Sequence, residues 1–265
     1  MRARIVHWLP LLAFPFTLAA CVDTTDDQVV DFEAVASGPA DAAFGEPLSF
    51  QGSQGWAITL TRARLHIGAL YLAETLPPSG AEDSCILPGN YLAQVVQGRD
   101  IDLLSSERQA FPSKGHGSSL EARAAQVWLT GDDVNLADAP MPPTVILQVQ
   151  GSAQRAGELR PFTAELTIAN NRVSSDGGAV LDSAICNQRI VSPIPTSIRV
   201  HGAGTLWLRV DPRLLFANVD FAALSLEGDV FVFKDDASDE PSRTLYENLT
   251  QPGPLYAFSW LDEQR

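Results

Sequence analysis

Apolar and polar residues alternate with a period of two through most of this 265-residue chain. Val30, Phe32, Ala34 and Ala36 alternate with Asp31, Glu33 and Val35, the pattern of a half-buried strand. Trp56, Ile58 and Leu60 alternate with Ala57, Thr59 and Thr61; the phase then flips, and Ala63, Leu65, Ile67, Ala69 and Tyr71 carry the apolar face. A one-residue change of face predicts a bulge or strand break near Thr61-Arg62. Further strands are expected over Tyr91–Val96, Ala124–Leu129, Thr144–Gly151, Pro161–Ala169, Ser197–Val200, Thr205–Val210, Asp229–Phe233 and Leu255–Trp260. Turn signals separate them, among them Pro77-Pro78-Ser79-Gly80, Pro140-Met141-Pro142-Pro143, Asp176-Gly177-Gly178 and Pro252-Gly253-Pro254. Short strands between Gly/Pro turns predict an all-β fold, a β-sandwich or distorted barrel of antiparallel strands with few short helices. One helical turn is expected over Arg213–Asn218, with Asp211 as its cap and Pro212 at its first position.

The first twenty residues break this pattern. Arg2 and Arg4 precede an apolar run, Ile5–Ala20, that ends in small residues, as in a secretory signal peptide. The run is interrupted by Pro10 and Pro15 and is shorter than the roughly 20 residues a spanning helix needs. Leu18-Ala19-Ala20-Cys21 resembles the lipobox of bacterial lipoproteins. That resemblance implies a diacylglyceryl group on the Cys21 thiol, cleavage just before it, and a membrane anchor of several acyl chains, since one chain alone binds only marginally. The residue after the cysteine is Val22 rather than Asp, which by the sorting rule of enteric bacteria implies the outer membrane. The expected organisation is a signal peptide over 1–20, a lipidated cysteine and acidic tether over 21–28, and one β-rich domain over 29–265.

Charge narrows the partners. The chain holds 18 basic and 32 acidic residues; cleavage before Cys21 removes Arg2 and Arg4 and no acid, leaving 16 against 32 and a formal charge of −16. Nucleic acid is excluded as a partner by the lack of a basic footprint, and the acidity suits a solvated extracytoplasmic surface. With Cys21 assigned to lipid, Cys85 and Cys186 remain, an even number in an oxidising compartment, and one disulfide between them is expected.

Candidate chemistry is thin. Three histidines remain after cleavage, His66, His116 and His201, and imidazole suits zinc or copper. His66 shares polar parity with Arg62 and Arg64, and His201 with Arg199, so both are expected to face outward beside cations, which disfavours a metal. His116 lies in Gly115-His116-Gly117, which reads as a flexible loop. No metal site and no cofactor is expected, with these three histidines the only candidates. Lys234–Glu240 carries four carboxylates and Gly131–Asn135 two, but neither has the EF-hand pattern, so both read as solvated loops. No G-x-S-x-G, P-loop, GxGxxG or HExxH occurs, and no catalytic residue is assigned. Trp207, which shares parity with Thr205 and Arg209, and Tyr246, after the acidic loop, are candidate exposed anchors.

The segments VVDFEAVASG and WAITLTRARLHIGALYL resemble the opening strands of MbnP-like proteins, a β-rich extracytoplasmic group linked to copper. The family's copper sites use histidine with a modified tryptophan; Trp56 and His66 stand ten apart and do not match that ligand set. The leading expectation is a non-enzymatic, lipid-anchored envelope lipoprotein that binds an envelope protein or glycan. The alternative is a periplasmic copper- or zinc-binding lipoprotein, and a hydrolase without a recognisable motif stands third.

Overall fold

The computed structural model describes residues 28–75, 91–130, 145–167 and 190–262. Its strands, in chain order, are β1 Val29–Ser37, β2 Leu48–Gln51, β3 Ala57–Ile67, β4 Ala69–Ala73, β5 Tyr91–Val95, β6 Arg99–Asp102, β7 Gln109–Ala110 and β8 Gly115–Ser118. They continue with β9 Glu121–Trp128, β10 Val145–Arg155, β11 Glu158–Thr167, β12 Ile190–Arg199, β13 Gly204–Val210, β14 Ser225–Glu227, β15 Val230–Phe233 and β16 Tyr256–Asp262. The fold is all-β, as the alternation predicts. A nine-stranded sheet runs β12-β9-β4-β5-β8-β1-β13-β16 with β7 beside β1, and a seven-stranded sheet runs β14-β15-β11-β10-β3-β2 with β6 beside β3. Pairing is mostly antiparallel, but β1–β13 and β11–β15 are parallel.

The phase change at Thr61 is a bulge. Gln150 pairs with Arg62 and Gly151 with Leu60, so Thr61 is skipped and the apolar face resumes at Ala63. Both sheets press onto one core. At its centre Phe162 packs against Phe216, Phe221 and Phe233 at centroid distances of 5.5, 5.0 and 5.8 Å. Each such ring contributes about 1.5–3 kcal/mol through burial alone. Trp56 is only 1% exposed, and its indole N–H donates to Asp220 at 3.2 Å, so a large ring is buried with its polar atom satisfied.

Helices are few. Asp211 caps a 3-10 helix at Pro212–Phe216, in the expected place, by accepting from the Arg213 N–H. The acidic stretch from Lys234 is a loop through Asp239, as expected, and an 11-residue helix, α1 Glu240–Thr250, follows it. Asp239 caps it through the Ser242 N–H, Pro241 sits in its first turn, and Leu245 and Leu249 meet the core one turn apart. No helix among the described residues is long and apolar enough to cross a membrane.

Gly115-His116-Gly117 is a strand, not a loop: β8 sits inside the nine-stranded sheet between β5 and β1. Its glycines serve close approach. A Cβ on Gly115 would lie 2.2 Å from the Phe32 ring, and one on Gly117 would lie 2.4 Å from the Ala93 Cβ.

Tracing the ladder through six antiparallel pairs and one parallel pair leaves the end strands β12 and β16 running parallel. Their Cα atoms approach within 8 Å, and no backbone hydrogen bond joins them among the described residues. Pro193 and Pro195 lack the N–H a ladder needs, and the β12 register slips twice against β9. The sheet thus curls almost into a barrel and stops at a seam. An inserted strand needs about 9.6 Å between its neighbours, twice the paired spacing, so side chains rather than a further strand close the gap.

Candidate functional site

The seam forms a groove of about 680 Å³. Thr196, Ser197 and Arg199 border it from β12, and Phe258, Trp260 and Asp262 from β16. Trp260 and Phe258 share the inward face of β16 with the core residues Leu206 and Leu208 of β13, which pair with them. At the sheet's end strand no neighbouring strand hides their rims, and both stay partly exposed. The Trp260 ring lies 5.2 Å from that of Phe32 and 5.2 Å from that of His201. Gly204 makes room for it, since a Cβ there would stand 2.3 Å from the indole Nε1.

His201 closes one end of the groove. Its Nε2 donates to Asp262 at 2.8 Å, and its Nδ1 lies 3.1 Å from the Gly202 carbonyl. Both ring nitrogens face acceptor oxygens of the protein, so neither points at an open coordination position. Aromatic edges, hydroxyls and the Arg199 guanidinium thus lie along one trough.

The other histidines are placed apart from this one in the sheets. His66 Nδ1 donates to Asp100 at 2.7 Å, and the same carboxylate accepts from Arg64 at 3.0 Å. His116 Nδ1 donates to Asp31 at 2.6 Å. His66 keeps the arginine neighbour its parity implied, sharing Asp100 with Arg64, and each of the three histidines is also held by an aspartate of another strand, β6, β1 or β16. An aspartate on one ring nitrogen is the support that metal-binding histidines use, but each imidazole here has its own. Among the described residues no group of three or more His, Cys, Asp or Glu is placed to hold a metal ion.

The acidic stretch near residue 235 is used locally. Asp235 accepts from the Thr167 N–H and hydroxyl at 2.7 and 2.6 Å, and Asp239 caps α1. Asp236 accepts from Ser238, and that hydrogen bonding holds its carboxyl below the usual range. Trp207 is no open anchor: its N–H donates to Ser37, and Arg108 and Arg209 lie 4.9 and 4.5 Å from its ring centre. Tyr246 packs against the core from α1. Cys21, Cys85, Cys186 and Gly131–Asn135 lie outside the described residues.

Sequence reasoning missed two features. One is the seam, since Trp260 reads as an ordinary inward residue until strand order makes β16 an edge. The other is a buried polar hub on the outer face of the nine-stranded sheet. Gln126 accepts from the Tyr91 hydroxyl and the Trp128 indole N–H and donates to Ser192, beside the mutually tilted rings of Tyr71, Tyr91 and Trp128. Burial raises the phenol pKa of both Tyr71 and Tyr91 above its ordinary value.

Comparison with protein families returns no match, and comparison with curated proteins returns none either. Among solved structures, MbnP from Methylosinus trichosporium is similar over 90% of this chain and 99% of that one, at 13% identity and a TM-score of 0.38.

Proposed function

We propose that this chain is a lipid-anchored protein of the bacterial cell envelope that acts by binding, with the β12–β16 groove as its binding surface and an envelope protein or glycan as its partner. The observation that carries the reading is the seam, where Trp260, Phe258, Arg199 and His201 line an open trough between the two end strands of the nine-stranded sheet among the described residues. The arginine-led, apolar, small-residue segment ending at Cys21 supports the anchor, and the formal charge of −16 supports an extracytoplasmic setting.

Two measurements test it. Cys21→Ser releases the protein from the membrane fraction or leaves an unprocessed precursor; an unmodified Cys21 in mature, membrane-bound protein refutes the anchor. Co-sedimentation with isolated cell-wall glycan, and binding to fractionated envelope proteins, is weakened about tenfold by Trp260→Ala, the loss typical of a central aromatic anchor. Equal binding by the wild type and Trp260→Ala refutes the groove.

A further inference from the structure

We infer that the groove takes an acidic glycan, one that carries carboxylates at intervals along its chain. The inference rests on the groove being a binding surface and names the chemistry of its partner. Its ground is the placement of two guanidiniums that the protein leaves without an acid. Arg199 borders the groove from β12, and Arg209 borders a second hollow, of about 450 Å³, beyond the start of β16. The two hollows meet at Ala257, a small, exposed residue that lines both. Among the described residues neither arginine bonds a carboxylate, and the Arg209 Nε is buried with no acceptor.

Local groups, rather than the net charge of the chain, decide what docks here, because salt screens exposed charges beyond about 8–10 Å. The carboxylates lining the two hollows are already engaged. Asp262 bonds His201 at 2.8 Å, and Arg213 bonds Asp41 at 2.8 Å and Asp211 at 2.7 Å. Glu121 stands opposite Arg199 in the β9–β12 ladder without an ion pair to it. Arg209 is also held in place: its guanidinium lies 4.5 Å from the centre of the Trp207 ring, whose N–H is fixed by Ser37. A guanidinium over an aromatic face keeps N–H edges for a bidentate carboxylate.

The spacing of the two arginines calls for more than one acid. Arg209 pairs with Ala257 in the β13–β16 ladder. The His201–Asp262 bond sets Arg199, two residues earlier in the chain, near the level of Trp260. Three residues of β16 separate those levels, about 10 Å along the strand. A single acidic sugar meets one guanidinium; an oligosaccharide with repeated carboxylates meets both. Its ring faces then lie on the exposed rims of Trp260 and Phe258, and its hydroxyls reach Thr196 and Ser197. An acidic peptide fits less well. The seam is too narrow for an added strand, and Pro193 and Pro195 take two backbone donors from β12.

Calorimetric titration of the full-length protein in detergent micelles tests the inference. The ligands are oligogalacturonate and its methyl ester, which keeps the sugars and removes the charge. The acid is expected to bind, and the ester to bind about tenfold more weakly or less. Arg199→Gln and Arg209→Gln each weaken the acid about tenfold, the loss of one charge-assisted contact, and leave the ester unchanged. The comparison of acid with ester needs no variant, so it stands even if Arg209→Gln folds poorly. Equal binding of acid and ester, both weakened by Trp260→Ala, overturns the acidic partner and leaves the groove intact. No binding of oligogalacturonate also overturns the inference, while the groove is still judged by co-sedimentation with cell-wall glycan. An oligoglutamate peptide that binds as tightly as the acid overturns the glycan. Acid bound equally by the wild type and Trp260→Ala refutes the groove, and the inference with it.

Discussion

Gly117→Ala separates a packed strand from a flexible loop by the sign of its effect. In β8 the new methyl would stand 2.4 Å from the Ala93 Cβ, 2.6 Å from the Leu92 carbonyl oxygen and 2.8 Å from the Ala93 Cα. Carbon atoms in good contact sit about 3.5–4.0 Å apart, so the shortfall exceeds 1 Å, roughly. Two of the three obstructing atoms are backbone, so no rotamer change relieves the clash, and β5 must move bodily inside a sheet paired on both sides. Overpacking of this kind costs about 1–3 kcal/mol. For a domain of this size each kcal/mol lowers Tm by about 2–4 °C, so a loss of about 2 kcal/mol lowers it by about 4–8 °C. In a flexible loop the same substitution raises stability by about 0.4–1 kcal/mol, because it restricts the unfolded chain. The assay is thermal melting by circular dichroism, with urea unfolding to give the free energy. Gly45→Ala is the control: its φ is +81° with nothing within 4 Å, so it reports backbone strain without a clash and costs less. A Gly117→Ala protein that melts at or above wild type refutes the packed strand.

Other outcomes follow from the same structure and sequence. The sequence predicts a Cys85–Cys186 disulfide, which would close a loop of about 100 residues and contribute about 4–5 kcal/mol in the chain-entropy model; reduction then lowers Tm, and free-thiol labelling of both cysteines in native oxidised protein sinks the assignment. Purified protein holds substoichiometric zinc and copper and melts identically with and without EDTA; one tightly held metal per chain, lost on His66→Ala or His201→Ala, overturns the binding reading in favour of a metal carrier. Asp239→Ala costs about 1 kcal/mol as a lost helix cap, and millimolar Ca²⁺ leaves the melt unchanged; a Ca²⁺-dependent rise in Tm abolished by Asp239→Ala shows instead that the acidic stretch is a cation loop.

What was legible in the chain was local. Period-two alternation marked β1, β3, β5, β9, β13 and β16, because it states which face of a strand is buried. The phase flip marked the bulge at Thr61, and Asp211-Pro212 marked the 3-10 helix, because both are written within a few adjacent residues. α1 carried comparable signals, Asp239, Pro241 and the Leu245–Leu249 pair, and went unread beside the acidic loop that leads into it. Everything that depends on which strand neighbours which was decided by the tertiary structure. Alternation cannot show that β12 and β16 end a sheet, so it could not single out Trp260 from other inward aromatics. It cannot show that the glycines around His116 face the Phe32 ring and Ala93, so tight packing looked like freedom. Nor can it supply the partner of a polar residue. Asp31 and His116 are 85 positions apart and Asp100 and His66 are 34 apart, and only strand pairing brings each carboxylate within hydrogen-bond reach of its imidazole.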